Sequence, residues 1–256
     1  ISLVDWDALI NRFVNRFQKK IGTWNEVQNT IKDNHLSDDK LLLTAPTGSG
    51  KTEASLLWAL NKAKEKDAKR IIYVLPIRAL IDDIFDRFKE YLEDNPKNPQ
   101  IVDIWYSDYI VRMEKDLLGF VKSSMFDNFD KFNFYLIFRK YFMDRNIIIT
   151  TADQVLMSYL NVDRYPIRYG LFKDSVFVFD EVQTYPEVMR SLLYRFMKNV
   201  PESVMVMTAT PPMDDKLREL DVIVGENKIG EWLEDFHGNK DVEIYFREVD
   251  IPRSSK

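Results

Sequence analysis

The chain of 256 residues is 45% hydrophobic and carries a formal net charge of -5, enough apolar material to bury the core of one large α/β domain or two small ones. That charge argues against a wholly basic nucleic-acid binder, while a local basic groove stays open. The absence of cysteine excludes disulfides, thiolate metal clusters and thiol nucleophiles; this suits a cytoplasmic protein, as does the lack of a leader-like N-terminus or an apolar run long enough to cross a bilayer.

Leu9, Phe13, Phe17 and Ile21 recur at helical spacing and predict one or two helices before residue 35. Six short runs rich in β-branched and apolar residues follow, at 41–45, 71–75, 101–107, 147–151, 175–180 and 204–210. They show little alternation, as expected of strands buried on both faces of a parallel sheet, so the predicted class is a doubly wound α/β sheet with helices on both faces. After Lys51, Leu56, Leu57, Leu60 and Ala63 fall on one helical face, with Lys62, Lys64 and Glu65 elsewhere; residues 80–92 show the same pattern.

Two stretches depart from this alternation. Residues 110–145 are crowded with aromatics (Phe120, Phe126, Phe132, Tyr135, Phe138 among them) and predict a helical insertion. Lys131, Arg139, Lys140 and Arg145 are interleaved, which leaves open a base-stacking surface beside the plainer reading of rings buried at helical period. From Asp214 onward the tail, with "DVEIYFREVDI", reads as a linker and the first strand of a further unit.

The chemistry begins at "TAPTGSGKTEA" (44–54), a variant of G-x-x-x-x-G-K-[ST] with Ala45 in place of the first glycine. Gly48, Ser49 and Gly50 let the backbone curl around a phosphate, Lys51 places a cation against it, and the Thr52 hydroxyl can hold Mg²⁺. The expected ligand is a nucleoside triphosphate with Mg²⁺. In "VFVFDEVQ" (176–183) an apolar strand ends in two carboxylates: Asp180 is placed to bind Mg²⁺ and Glu181 to act as general base on water. A small-molecule kinase has no need of such a base, so the pair favours nucleotide hydrolysis.

In order along the chain, "APTGSGKTE", "LPIRAL", "TTADQVL", "FDEVQ" and "MTATPP" resemble motifs I, Ia, Ib, II and III of superfamily two helicases. Many members of that superfamily open motif I with alanine, which accounts for Ala45. Over about residues 23–212 the wording is most similar to the helicase part of the CRISPR-associated type I interference helicase-nuclease. The resemblance implies that residues 1–213 form a first RecA-like domain and that 214–256 lead into a second one, in cis or in trans. It implies a role for Gln28 in reading adenine, for Arg78 and Thr151 in contacting single-stranded DNA, and for Thr208 and Thr210 in coupling nucleotide state to nucleic-acid grip. Ile77 stands where a threonine is common. Gln183 stands where many relatives carry histidine, and its amide can still bridge motifs II and III. An HD nuclease and the CRISPR surveillance complex are implied partners. His35 and His237 sit in unrelated settings and form no HD pair, so no nuclease is expected within this chain. A DNA-repair or restriction motor, and a nucleotide-gated docking module without translocation, remain as alternatives.

Overall fold

In the computed structural model, residues 4–96, 100–105, 145–160, 172 and 174–210 are described in full, and 222–224 in backbone only. Seven strands form one parallel sheet: β1 (Lys40–Thr44), β2 (Arg70–Leu75), β3 (Val102–Trp105), β4 (Ile147–Thr151), β5 (Ser175–Phe179), β6 (Val204–Thr208) and β7 (Val222–Val224), in the order β3-β4-β2-β5-β6-β1-β7. The described helices are α1 (Trp6–Lys20), α2 (Glu26–Asn34), α3 (Lys51–Glu65), α4 (Ile81–Leu92), α5 (Ala152–Tyr159) and α6 (Glu187–Asn199). The doubly wound parallel class expected from the apolar runs is the one observed. The aromatic segment and most of the tail lie outside the described residues.

The strands divide their side chains between two cores with a period of two. Leu41, Leu43, Ile71, Tyr73, Ile147, Val178 and Met207 face α1 to α4; Leu42, Ile72, Val74, Ile148, Phe177 and Val206 face α5 and α6. Because both faces are covered, alternate residues are equally apolar, which is why the sequence shows runs instead of alternation.

Helix α3 is buried almost all round, since α1 and α2 pack over it from outside. Lys62, expected on an outer face, is fully buried; its ammonium donates to Ser37 O (2.6 Å), Asp39 Oδ1 (2.9 Å) and Glu65 Oε2 (2.7 Å). The N-terminal helices supply the reason: they convert the outer face of α3 into an inner one. Phe13 and Phe17 close that layer against Trp24, with the Phe17 and Trp24 rings stacked at 3.9 Å. Ile21, the fourth residue of the expected apolar stripe, is exposed because α1 stops at Lys20 and Ile21 is already its C-cap.

Two ends of the sheet bear on the sequence expectations. Residues 41–43 of β1 pair with 222–224 of β7; a three-residue strand carries too little pattern to be seen in sequence. At the other margin the buried Glu93 carboxylate, just after α4, accepts from the amides of Gln100 (2.9 Å) and Val102 (2.7 Å) and pins the start of β3.

Candidate nucleotide site and its neighbours

All seven strands run the same way, so the loops that follow them open at one edge of the sheet, the usual place for a ligand in such folds. The neighbours β1, β6 and β5 bring the loop 45–50, residues 208–210 and Asp180-Glu181 together; β2 and β4 pair with Leu75 opposite Thr151, and Arg78 follows three residues after Leu75.

The loop after β1 is anchored at its start. Ala45 is fully buried and its amide donates to Thr208 O (3.1 Å), so its methyl packs in the core and its backbone needs no left-handed turn. That is the physical reason an alanine serves here. Gly48 (φ +82°) and Gly50 (φ +77°) do need it. A Cβ on Gly50 would also stand 2.3 Å from the Gln28 amide nitrogen, so the loop and α2 are fitted to each other at this glycine.

Gln28 is buried against the loop. With Asn25 it forms a capping box on α2, accepting from the Asn25 amide at 3.1 Å, and its Nε2 reaches Gly50 O at 3.4 Å. Asn25 Nδ2 donates to Ser49 O (3.0 Å). Asn25 escaped the sequence reading, although N-x-x-Q before an apolar run is the signature of such a box. One amide proton and one lone pair of Gln28 remain uncommitted by these bonds.

Lys51 opens α3 and is buried. Its ammonium donates to Ala45 O (2.8 Å) and Pro46 O (3.0 Å) and lies 4.0 Å from Glu181 Oε1. Desolvation lowers its pKa, opposed by the charges of Glu181 and Asp180. Beside it the hydroxyls of Ser49 and Thr44 are buried without a hydrogen-bond partner. Orphaned hydroxyls, a buried cation and two left-handed glycines at a helix N-terminus suit an anionic, oxygen-rich ligand, so the residues fit a nucleotide phosphate.

Asp180 is buried at the end of β5. Its Oδ2 accepts from the Tyr73 hydroxyl (3.0 Å) and its Oδ1 from the Glu181 amide (2.8 Å). Burial, then the neighbouring Glu181 charge, pushes its pKa up to about 6. Such a carboxylate lacks a strong counter-charge, which fits a divalent cation held between Asp180 and Thr52. Glu181 takes a left-handed backbone (φ +51°), unusual for a side chain of this kind and suited to turning its carboxylate back toward Lys51.

Gln183 joins two motifs. Its Nε2 donates to the Glu181 carboxylate, and its Oε1 accepts from the Ala209 amide at 3.2 Å. Thr208 Oγ1 donates to Thr210 O (2.6 Å), so the two threonines brace one turn after β6. Arg78 is exposed at the start of a 3-10 turn (Arg78–Leu80), with Ile77 exposed beside it. Thr151 is buried at the N-cap position of α5 and makes no side-chain capping bond, so it offers its backbone surroundings more than its hydroxyl. His35 Nδ1 donates to the Asp38 carboxylate (2.8 Å), and His237 lies outside the described residues. No helix among the described residues is long and apolar enough to cross a membrane.

A family model described as DEAD/DEAH box helicase matches residues 25–219. CRISPR-associated nuclease/helicase Cas3 of Methanothermobacter thermautotrophicus is 32% identical over 177 residues, 68% of this chain and 19% of that protein. CRISPR-associated endonuclease/helicase Cas3 of Escherichia coli is 28% identical over 190 residues, 70% of this chain and 21% of that protein. The chain therefore spans about a fifth of the length of these relatives. The crystal structure of T. fusca Cas3-AMPPNP superposes with a TM-score of 0.61 at 22% identity, over 91% of this chain and 25% of that one. The Pyrococcus furiosus Hef helicase domain does so at 0.54 and 16% identity, over 80% and 38%. These two likenesses speak for the fold. The matched segment contains the phosphate loop, the Asp180-Glu181 pair and the Thr208–Thr210 turn, and the chain belongs to the DEAD/DEAH box helicase family.

Proposed function

We propose that this chain is the ATP-binding half of a motor that moves along single-stranded DNA in CRISPR-associated interference. The observation that carries the reading is the meeting of Lys51, Glu181 and Gln183 at the ends of β1, β5 and β6, with Gln183 reaching both Glu181 and the turn after β6. Relatives named as CRISPR-associated nuclease/helicases supply the biological setting.

In this reading the amides of 48–50 cradle the phosphates, and Lys51 exchanges its two carbonyl acceptors for phosphate oxygens. Gln28 uses its remaining proton and lone pair on adenine. Mg²⁺, held by Thr52 and Asp180, supplies neutralisation of charge on the phosphate oxygens. Glu181 orients the attacking water and takes its proton, and Gln183 passes the state of that carboxylate to Ala209, Thr208 and Thr210. Arg78 and the backbone near Thr151 hold DNA phosphates, so binding is indifferent to sequence and weakens with salt. A second RecA-like domain, in cis or in trans, supplies the arginine that speeds turnover. An HD nuclease and the surveillance complex complete the assembly.

The test is ATP binding and steady-state ATP hydrolysis with and without single-stranded DNA, with Lys51→Ala as the blank. Tight ATP binding with slow turnover, both lost in the variant, supports the half-motor. Equal nucleotide binding by the wild type and Lys51→Ala defeats the assignment of the site. DNA affinity that does not change between about 50 and 200 mM salt defeats the phosphate-contact reading.

A further inference from the structure

Tyr73 is the one aromatic in the β2 run "RIIYVL", and its hydroxyl is the group the motif reading does not use. The side chain is essentially fully buried, with its ring edge-on to Phe88 (centroids 5.1 Å apart, 83° between planes). A phenol placed so deep needs a partner for its polar tip. It finds one in Asp180 Oδ2, 3.0 Å away.

The hydroxyl thus joins β2 to the carboxylate that follows β5. Asp180 has no rotational freedom left, since Tyr73 fixes Oδ2 and the Glu181 amide fixes Oδ1. Each oxygen keeps a lone pair, so the carboxylate is oriented without being used up. Phenylalanine would pack equally well against Phe88, so core packing alone gives no reason for the hydroxyl.

We propose that Tyr73 is a positioning residue for the divalent-cation site, its hydroxyl holding Asp180 in the orientation that lets it reach one Mg²⁺ together with Thr52. This rests on the reading of Thr52 and Asp180 as the cation-holding pair.

The experiment is a Mg²⁺ titration of the binding of a fluorescent ATP analogue, on the intact chain and on Tyr73→Phe, with nucleotide affinity in excess EDTA and thermal melting measured alongside. The expected result is a Mg²⁺ midpoint raised roughly five- to twentyfold in the variant, in line with the loss of an outer-shell partner of a metal ligand. Affinity without Mg²⁺ is expected to be unchanged. An unchanged midpoint, whatever happens to the melting temperature, overturns the proposal and makes Tyr73 a packing residue. If the wild type itself shows no Mg²⁺ dependence, the cation-site reading fails, and it fails in the wild-type curve before the variant is considered. Should Tyr73→Phe not fold, Asp180→Asn is added to it: restored folding supports a hydroxyl whose task is to serve that carboxylate, and continued misfolding overturns it.

Discussion

The ammonium of Lys51 stands 4.0 Å from Oε1 of Glu181, and the same carboxylate accepts from Gln183 on its other oxygen. In the proposed reading, the cation meant for phosphate and the base meant for water therefore face each other before either has its substrate. Replacing Glu181 by Gln keeps the shape and removes the base. Nucleotide affinity should stay within about threefold of wild type while turnover falls by on the order of 10² or more, as for loss of a general base. Single-turnover kinetics separate the two; equal losses in both would assign Glu181 to binding.

Gln183 predicts a different split. Gln183→Ala removes the donor to Glu181 and the acceptor for the Ala209 amide. ATP binding should persist, and the stimulation of hydrolysis by single-stranded DNA should drop by up to about thirtyfold, since two hydrogen bonds worth ~1 kcal/mol each are lost. The ratio of rates with and without DNA, measured with the complementing second domain present, reads this directly. A preserved ratio removes Gln183 from the coupling path.

The raised pKa of Asp180, about 6 against an ordinary 3.8, is a statement about stability. The folded chain holds this proton more tightly than the unfolded one, so the contribution is full near pH 4 and is lost as pH rises through 6. Asp180→Asn carries no such charge. Its stability relative to wild type should increase between pH 4.5 and pH 7.5, by on the order of 2 to 3 kcal/mol at most. Urea midpoints at the two pH values measure it, in the absence of divalent cations and nucleotide. A pH-independent difference between the two proteins counts against a buried, poorly compensated carboxylate.

Glu53, directly after the phosphate loop, is buried and pairs with Arg87 of α4; the Tyr91 hydroxyl donates to the same Glu53 oxygen at 3.4 Å. Arg87→Ala leaves that carboxylate with the weaker partner only. Chemical denaturation should show a loss of about 2 kcal/mol, less than for a fully buried pair because Arg87 is partly exposed. Glu53→Gln should cost less than Arg87→Ala, because it leaves no charge stranded.

The sheet and the phosphate loop were legible because their signals are local. An apolar run bounded by turn residues, or a glycine that must take positive φ, is written into a few adjacent positions. Lys62 shows where that legibility stops: its burial is imposed by α1 and α2, which a helical wheel of α3 cannot contain. Tyr73 and Asn25 were missed for a related reason. Each serves a group far along the chain, Asp180 and Ser49, and only the folded sheet brings those partners within 3.0 Å. A polar hydroxyl inside "RIIYVL" was the available hint, since a buried phenol has to bond something. β7 was invisible for want of length, and its membership of the sheet comes entirely from pairing with β1.

The order of the strands also separates the two places where this chain can vary. Residues 106–144 leave from β3 and return to β4 at one margin, whereas whatever follows Val224 departs from β7 at the opposite margin. With strands spaced about 4.8 Å apart, some 30 Å of hydrogen-bonded sheet lies between those exits. Parallel neighbours such as β3 and β4 need a crossover of only about a dozen residues, so most of 106–144 is surplus to connectivity. The sheet acts as an insulating bar, with the ends of β5, β6 and β1 lying between the two exits.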